Sequence, residues 1–204
     1  VGGKKEWDLS KMSRASVVWR IGGDYFPSLS NPRPTRDQLL NMTQDDGACL
    51  SPATSKCDRW GNKHGRKTIF LPYRPNHIWN GARALRDNEL DYPCEVQQRA
   101  HEPLFAEAPG KALTASTVRT LLYHMVRTPQ VVAVTPSFAD ASNFSFHSFR
   151  KMYATGLARS GASRERIQSM VRWLSDEAVD IYDKMGYADH VKYVDAAYMH
   201  SAEV

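Results

Sequence analysis

The chain has 204 residues, 42% of them hydrophobic and 24% charged, and carries a net charge of +5. That size suits one ordinary domain with a proper core, and the longest purely aliphatic run, Val131 to Val134, is far too short to span a membrane. Three cysteines (Cys49, Cys57, Cys94) without C-x-x-C spacing and scattered histidines exclude a disulfide framework or a zinc site as the organising device, and suit a reducing, intracellular setting.

The start, VGGKKEWDLSKM, is too polar for a signal peptide, and a first residue of Val is expected of a piece cut from a longer chain. Within residues 1–26 there is one short apolar segment, Ala15 to Ile21, preceded by Ser13 and Arg14. Residues 27–47 are rich in Pro, Asn, Asp and Ser, which predicts a loop with one helical turn near Asp37 to Met42. Residues 48–72 then read as a hairpin: Gly61-Asn62 and His64-Gly65 supply turn chemistry, and Thr68 to Leu71 is β-prone. Here the charge concentrates. Between Lys56 and Arg74 six Lys or Arg face only Asp58, so this segment holds the whole net charge and the remainder sums to zero. A basic segment on a neutral body suits contact with a phosphate backbone.

Further along, Trp79 to Leu90 is predicted helical and Pro109-Gly110 marks a turn. Val118, Leu121, Leu122, Met125 and Val126 give the cleanest amphipathic stripe in the chain, N-capped by Thr114, with Arg119, His124 and Arg127 on the opposite face. Residues 128–143 read as a loop. Beyond them Phe149, Met152, Tyr153, Gly156 and Leu157 fall on one helix face. Gly161 stands where a C-cap glycine belongs and Ser163 is positioned to N-cap a second helix burying Ile167, Met170 and Val171. Ser175, with Asp176 and Glu177 after it, starts a third helix that contains Tyr182, and Gly186 ends it. The tail shows a weak stripe of Val191, Val194, Ala197 and Tyr198.

The chemistry lies in this last third. His147 and Arg150 form an H-x-x-R pair, Trp173 follows Arg150 by 23 residues, and Tyr182 follows Trp173 by nine. An arginine fork binds two phosphate oxygens and keeps its charge. A histidine can donate to the same group or move a proton near neutral pH. An indole N–H is a neutral donor. A phenol attacks phosphorus only where cations lower its pKa and stabilise the developing charge.

This ordered set resembles the C-terminal half of a tyrosine recombinase (lambda-integrase family) catalytic domain. The resemblance covers 144–186, the hairpin at 50–72 and the neighbourhood of Arg14. It implies an α+β, mostly α-helical DNA breaking-rejoining fold over residues 1–204, with a small antiparallel β-sheet. It also implies that the family's core-binding domain is absent from this N-terminally truncated chain, and that 187–204 form a C-terminal tail helix docking on a neighbouring protomer or on its own domain. The implied catalytic residues are Tyr182 as nucleophile, Arg150, His147, Trp173 and Arg14 as phosphate ligands, and Lys56 as general acid.

Lys56 is placed by SKCDRWG, similar to the family's K-T-D-x-x-G, with Lys63 and Lys67 as substitutes. Arg14 is placed by SRASVVWR, similar to a helical R-x-x-E before an apolar run; Val17 stands where the acid belongs, and Arg20 is the alternative. Trp173 occupies a position where His is commoner in the family and Trp occurs in some members. Lys63, Arg66, Lys67 and Arg119 are the implied DNA contacts. No metal and no cofactor are implied. The implied partner is double-stranded DNA, bound as a tetramer on paired sites, and a eukaryotic host would make the protein nuclear. Three other readings stand beside this one: a decayed recombinase that binds DNA without cutting it, a type IB topoisomerase, and an interaction domain whose basic hairpin takes an acidic partner.

Overall fold

The computed structural model describes residues 12–30, 32–52, 68–77, 80–134, 145–171 and 187–201. Near the start, the resemblance implies a helix and the chain forms a strand instead. Arg14–Ser16 make one 3-10 turn, and Val17–Ile21 continue as β1. The reason is local: Val17, Val18, Trp19 and Ile21 are β-branched or aromatic, and they alternate between the two faces. Gly22 and Gly23, both with positive φ, close a tight turn into β2 (Asp24–Pro27). After α1 (Arg36–Leu40), capped reciprocally by Thr35 and Gln38, the chain runs through β3 (Gly47–Leu50) and β4 (Ile69–Pro72).

These strands form one antiparallel sheet in the order β2-β1-β3-β4. The β3/β4 pairing is the expected hairpin, with Leu50 opposite Ile69. One face of the sheet carries Val17, Trp19, Ile21, Phe26 and Ala48 into a core closed by Leu39 of α1 and by Ala82 and Leu85 of α2 (Gly81–Asp91). The opposite face carries Cys49 and Phe70, which the register places side by side.

The rest of the chain is mainly helical. A two-stranded hairpin, β5 (Ala106–Ala108) and β6 (Lys111–Ala112), turns at Gly110 and leads into α3 (Ala115–Val126). Thr114 caps α3 as expected, its Oγ1 accepting from the Thr117 N–H at 3.1 Å. The predicted loop after it begins with a short helix, α4 (Pro129–Val134); Pro129 at the first helical position needs no N–H partner there. Next come α5 (Phe146–Arg159) and α6 (Arg164–Met170), separated by Gly161 at φ 79° and started by the Ser163 hydroxyl. The last described element is α7 (Tyr187–Ser201).

Ala154, Leu157, Ala162, Met170, Val171, Val194 and Ala197 make a second core where α5, α6 and α7 meet. The C-terminal helix thus packs on its own domain. It lies close against α5, where a Cβ on Gly156 would stand 3.1 Å from the Ala197 carbonyl. It also reaches β4: His190 meets Phe70 edge-on at 5.5 Å between ring centroids, and Asp195 accepts both arms of the Arg74 guanidinium. Burial in this seam holds the His190 imidazole down at a pKa of about 4.

The α3 stripe is only half used. Leu122 and Val126 are buried beside Phe149, whereas Leu121 and Met125 are 52% and 64% exposed. Among the described residues it is Phe149 that packs on this pair, so a narrow seam is buried there rather than the full apolar face.

Two outcomes follow from the α5–α7 seam. Gly156→Leu forces the helices apart and is expected to cost about 1–3 kcal/mol of stability, measured as a lowered urea midpoint. His190 is neutral in the fold but protonates in the unfolded chain below pH 6.5, so its contribution is complete above that pH and is lost as the pH falls towards 4. At pH ~5 the loss amounts to about 2 kcal/mol. Urea unfolding across this range should show that component in the parent and lack it in His190→Leu.

Candidate nucleic-acid interface and strand-transfer site

Helix α5 carries the H-x-x-R pair in its first two turns, with His147 in the opening turn and Arg150 one turn later. Arg150 crosses to α6, where its Nη2 donates to the Val171 carbonyl. That carbonyl lies at the end of α6, whose free C=O groups favour a cation. Val171 and Met170 beside it are buried, so the backbone that receives Arg150 is fixed by the second core. The arrangement ties the arginine to a point two residues before Trp173 in the chain. Trp173 and Tyr182 themselves lie outside the described residues.

The described part of the basic segment is the β3/β4 pairing. The chain leaves β3 at Leu50 and returns opposite it at Ile69, on the adjacent antiparallel strand. Lys56, Lys63, Arg66 and Lys67 lie outside the described residues. Arg119 stands exposed on α3. On the same helix, Arg127 stacks its guanidinium 3.8 Å from the Tyr123 ring centroid.

Arg14 and Arg20 have different surroundings. Arg14 is 6% exposed and donates to Glu89 Oε2 at 3.4 Å. Glu89 is shared: Arg99 grips both its oxygens, at 2.7 and 3.0 Å, and Arg33 donates to Oε1 as well. Burial by itself would raise the Glu89 pKa, but the Arg99 hydrogen bonds and the charges of Arg99, Arg33 and Arg14 hold it below the usual carboxylate range. The arginine that the resemblance makes a phosphate ligand is therefore built into a buried ion cluster. Arg20 is half-buried on β1 and donates to the Asp45 carbonyl at 2.5 Å.

Sequence reasoning did not pick out this cluster. Its signal was present: Glu89 follows Ala82 and Leu85 at positions i+7 and i+4 on the buried face of α2. An acid on an apolar stripe demands a cationic partner.

The two described cysteines are both buried. Burial pushes the Cys49 thiol up to about 11, with only Arg20 opposing it, and raises Cys94 too, so neither is an activated nucleophile. Among the described residues, no group of three His, Cys, Asp or Glu could hold a metal ion, and no helix is long and apolar enough to cross a membrane.

The sequence profile of the phage integrase family matches residues 64–188. The matched span takes in Arg66, Lys67, Arg119, His147, Arg150, Trp173 and Tyr182, and begins after Lys56 and Lys63. Neither a curated protein nor a solved structure matches the chain. With more than half of its length accounted for in this way, the chain belongs to the phage integrase family and is, at the level of class, a DNA recombinase domain.

Proposed function

We propose that this domain cleaves and rejoins DNA at specific sites through a 3′-phosphotyrosyl intermediate, the reaction by which mobile elements integrate and excise. The observation that carries the reading is the brace from Arg150 to the Val171 carbonyl, inside a matched span that also holds His147, Trp173 and Tyr182. It gives the H-x-x-R helix a fixed relation to the chain that leads to Trp173 and Tyr182.

In this reading Arg150, His147 and Trp173 hold and neutralise the scissile phosphate. Tyr182 Oη attacks phosphorus; the Oη–P bond forms as the P–O5′ bond breaks. Lys56 gives its proton to the departing 5′ oxygen. His147 is assigned to take the phenol proton, a role histidine side chains serve in proton transfer. The phosphodiester energy stays in the covalent link, so rejoining to another 5′-hydroxyl needs no nucleotide, and the residues assigned suffice without a metal. Lys63, Arg66, Lys67 and Arg119 supply sequence-independent contacts to the duplex, and pairing of two sites brings protomers together as a tetramer.

A second arginine completes the phosphate clamp. Arg14 is the assignment from sequence, and it must exchange Glu89 for the phosphate to act. Arg20 is the alternative, and it must release the Asp45 carbonyl.

The test is cleavage of a duplex carrying the target site. Arg150→Ala should lower the cleavage rate by roughly 10²–10³-fold while DNA binding at matched salt falls much less. An unchanged rate would remove Arg150 from the clamp. Arg14→Gln and Arg20→Gln separate in the same assay. The clamp residue is the one whose loss slows cleavage without lowering the melting temperature.

A further inference from the structure

Among the described residues, the three guanidinium groups around Glu89, from Arg14, Arg33 and Arg99, share that one carboxylate as their ion-pair partner. Arg99 is 0% exposed and Arg14 nearly so, which puts these charges where water screens them little. Carbonyl oxygens absorb part of the hydrogen-bonding capacity. Cys94 accepts from Arg33 at 2.8 Å and from Arg99 at 3.4 Å, and the Arg14 carbonyl accepts from Arg99 at 3.4 Å. A carbonyl cancels no charge, however, and Arg99 Nε is buried with no acceptor among the described residues. An unmet N–H on a buried cation is costly, and buried groups of this kind usually mark a partner such as a bound ion.

The chemistry of that partner follows from the donors. Guanidinium forks match the paired oxygens of a tetrahedral oxyanion. Arg33 is the point of access: its side chain is 24% exposed, and it hangs from the loop before α1. We propose that Arg14, Arg33 and Arg99, beside Glu89, form a binding site for a phosphate-class oxyanion, separate from the strand-transfer residues on α5. A doubly charged phosphate brings three arginines and one glutamate to neutrality, so the carboxylate limits the charge the site accepts without abolishing the attraction. The oxygens can come from free phosphate or from a phosphate of the DNA backbone. Arg14 is shared with the first assignment of the strand-transfer clamp, so the two sites are distinct where Arg20 completes that clamp.

The test is thermal unfolding of the full chain in sodium phosphate and in sodium chloride at matched ionic strength, in the parent and in Arg33→Gln. A site predicts a concentration-dependent rise in Tm in phosphate over chloride, several degrees near saturation, most of which disappears in Arg33→Gln. Phosphate also stabilises proteins by exclusion from their surface. A rise of equal size in Arg33→Gln therefore overturns the proposal, as does equal melting in both salts without a duplex effect. In a parallel arm with a short duplex, a rise that inorganic phosphate does not reproduce and that Arg33→Gln loses assigns the oxyanion to the DNA backbone. If Arg33→Gln does not fold, calorimetric titration of inorganic phosphate decides. One phosphate per parent chain, still bound after Arg150→Ala, supports the site. No binding, or binding lost with Arg150, contradicts it.

Discussion

The close approach of α5 to α7 is the constraint on which the arrangement of this domain rests. Gly156 lets the two helices meet at a distance that a larger side chain would forbid, and α7 in turn grips the sheet through His190 on Phe70 and Asp195 on Arg74. The helix bearing His147 and Arg150 is thereby fixed relative to β3 and β4, the strands from which the basic hairpin springs. Phosphate chemistry of the proposed kind needs cations from both parts of the chain within ångströms of one phosphorus atom. One helix, contributing none of the proposed catalytic residues itself, sets that geometry. The seam is partly polar at its rim and buried at its centre, so its strength depends on pH through His190 and on salt through the exposed side of Asp195.

Much of the second half of the fold was legible from the sequence. Gly161 and Ser163 punctuate α5 and α6 because a left-handed C-cap and a hydroxyl N-cap are local requirements, indifferent to tertiary context. Thr114 is legible for the same reason. The hairpin of β3 and β4 followed from turn residues between β-prone segments. The start of the chain was not legible by the same route. A resemblance to a helical motif around Arg14 competed with the β-branched and aromatic character of Val17 to Ile21, and local propensity prevailed. The Gly22-Gly23 pair between two apolar segments was the available sign of the β1–β2 turn.

The α3 stripe failed differently. Periodicity shows that Leu121 and Met125 share a face with Leu122 and Val126; it does not say how wide a seam the domain offers them. Of the site, the order and spacing of His147, Arg150, Trp173 and Tyr182 were visible, as was the family they belong to. The brace from Arg150 to the Val171 carbonyl was not, because it depends on how α6 ends in three dimensions. The Glu89 cluster assembles residues separated by up to 75 positions, and no spacing rule links them.

The electrostatic design divides in two. Exposed or hairpin-borne cations are suited to meeting a duplex, where each contact is worth little alone and falls with salt. Arg14, Arg33 and Arg99 are withdrawn around Glu89 and hold the lead into β1, the loop before α1 and the end of α2 together.

The most direct measurement is covalent trapping. The protein is incubated with supercoiled DNA, quenched with SDS and examined for DNA joined to protein, with Tyr182→Phe in parallel. The account predicts an adduct in the parent and none in Tyr182→Phe. DNA binding without an adduct in the parent would contradict it and leave a DNA-binding remnant, and an adduct that survives the substitution would move the nucleophile to another residue.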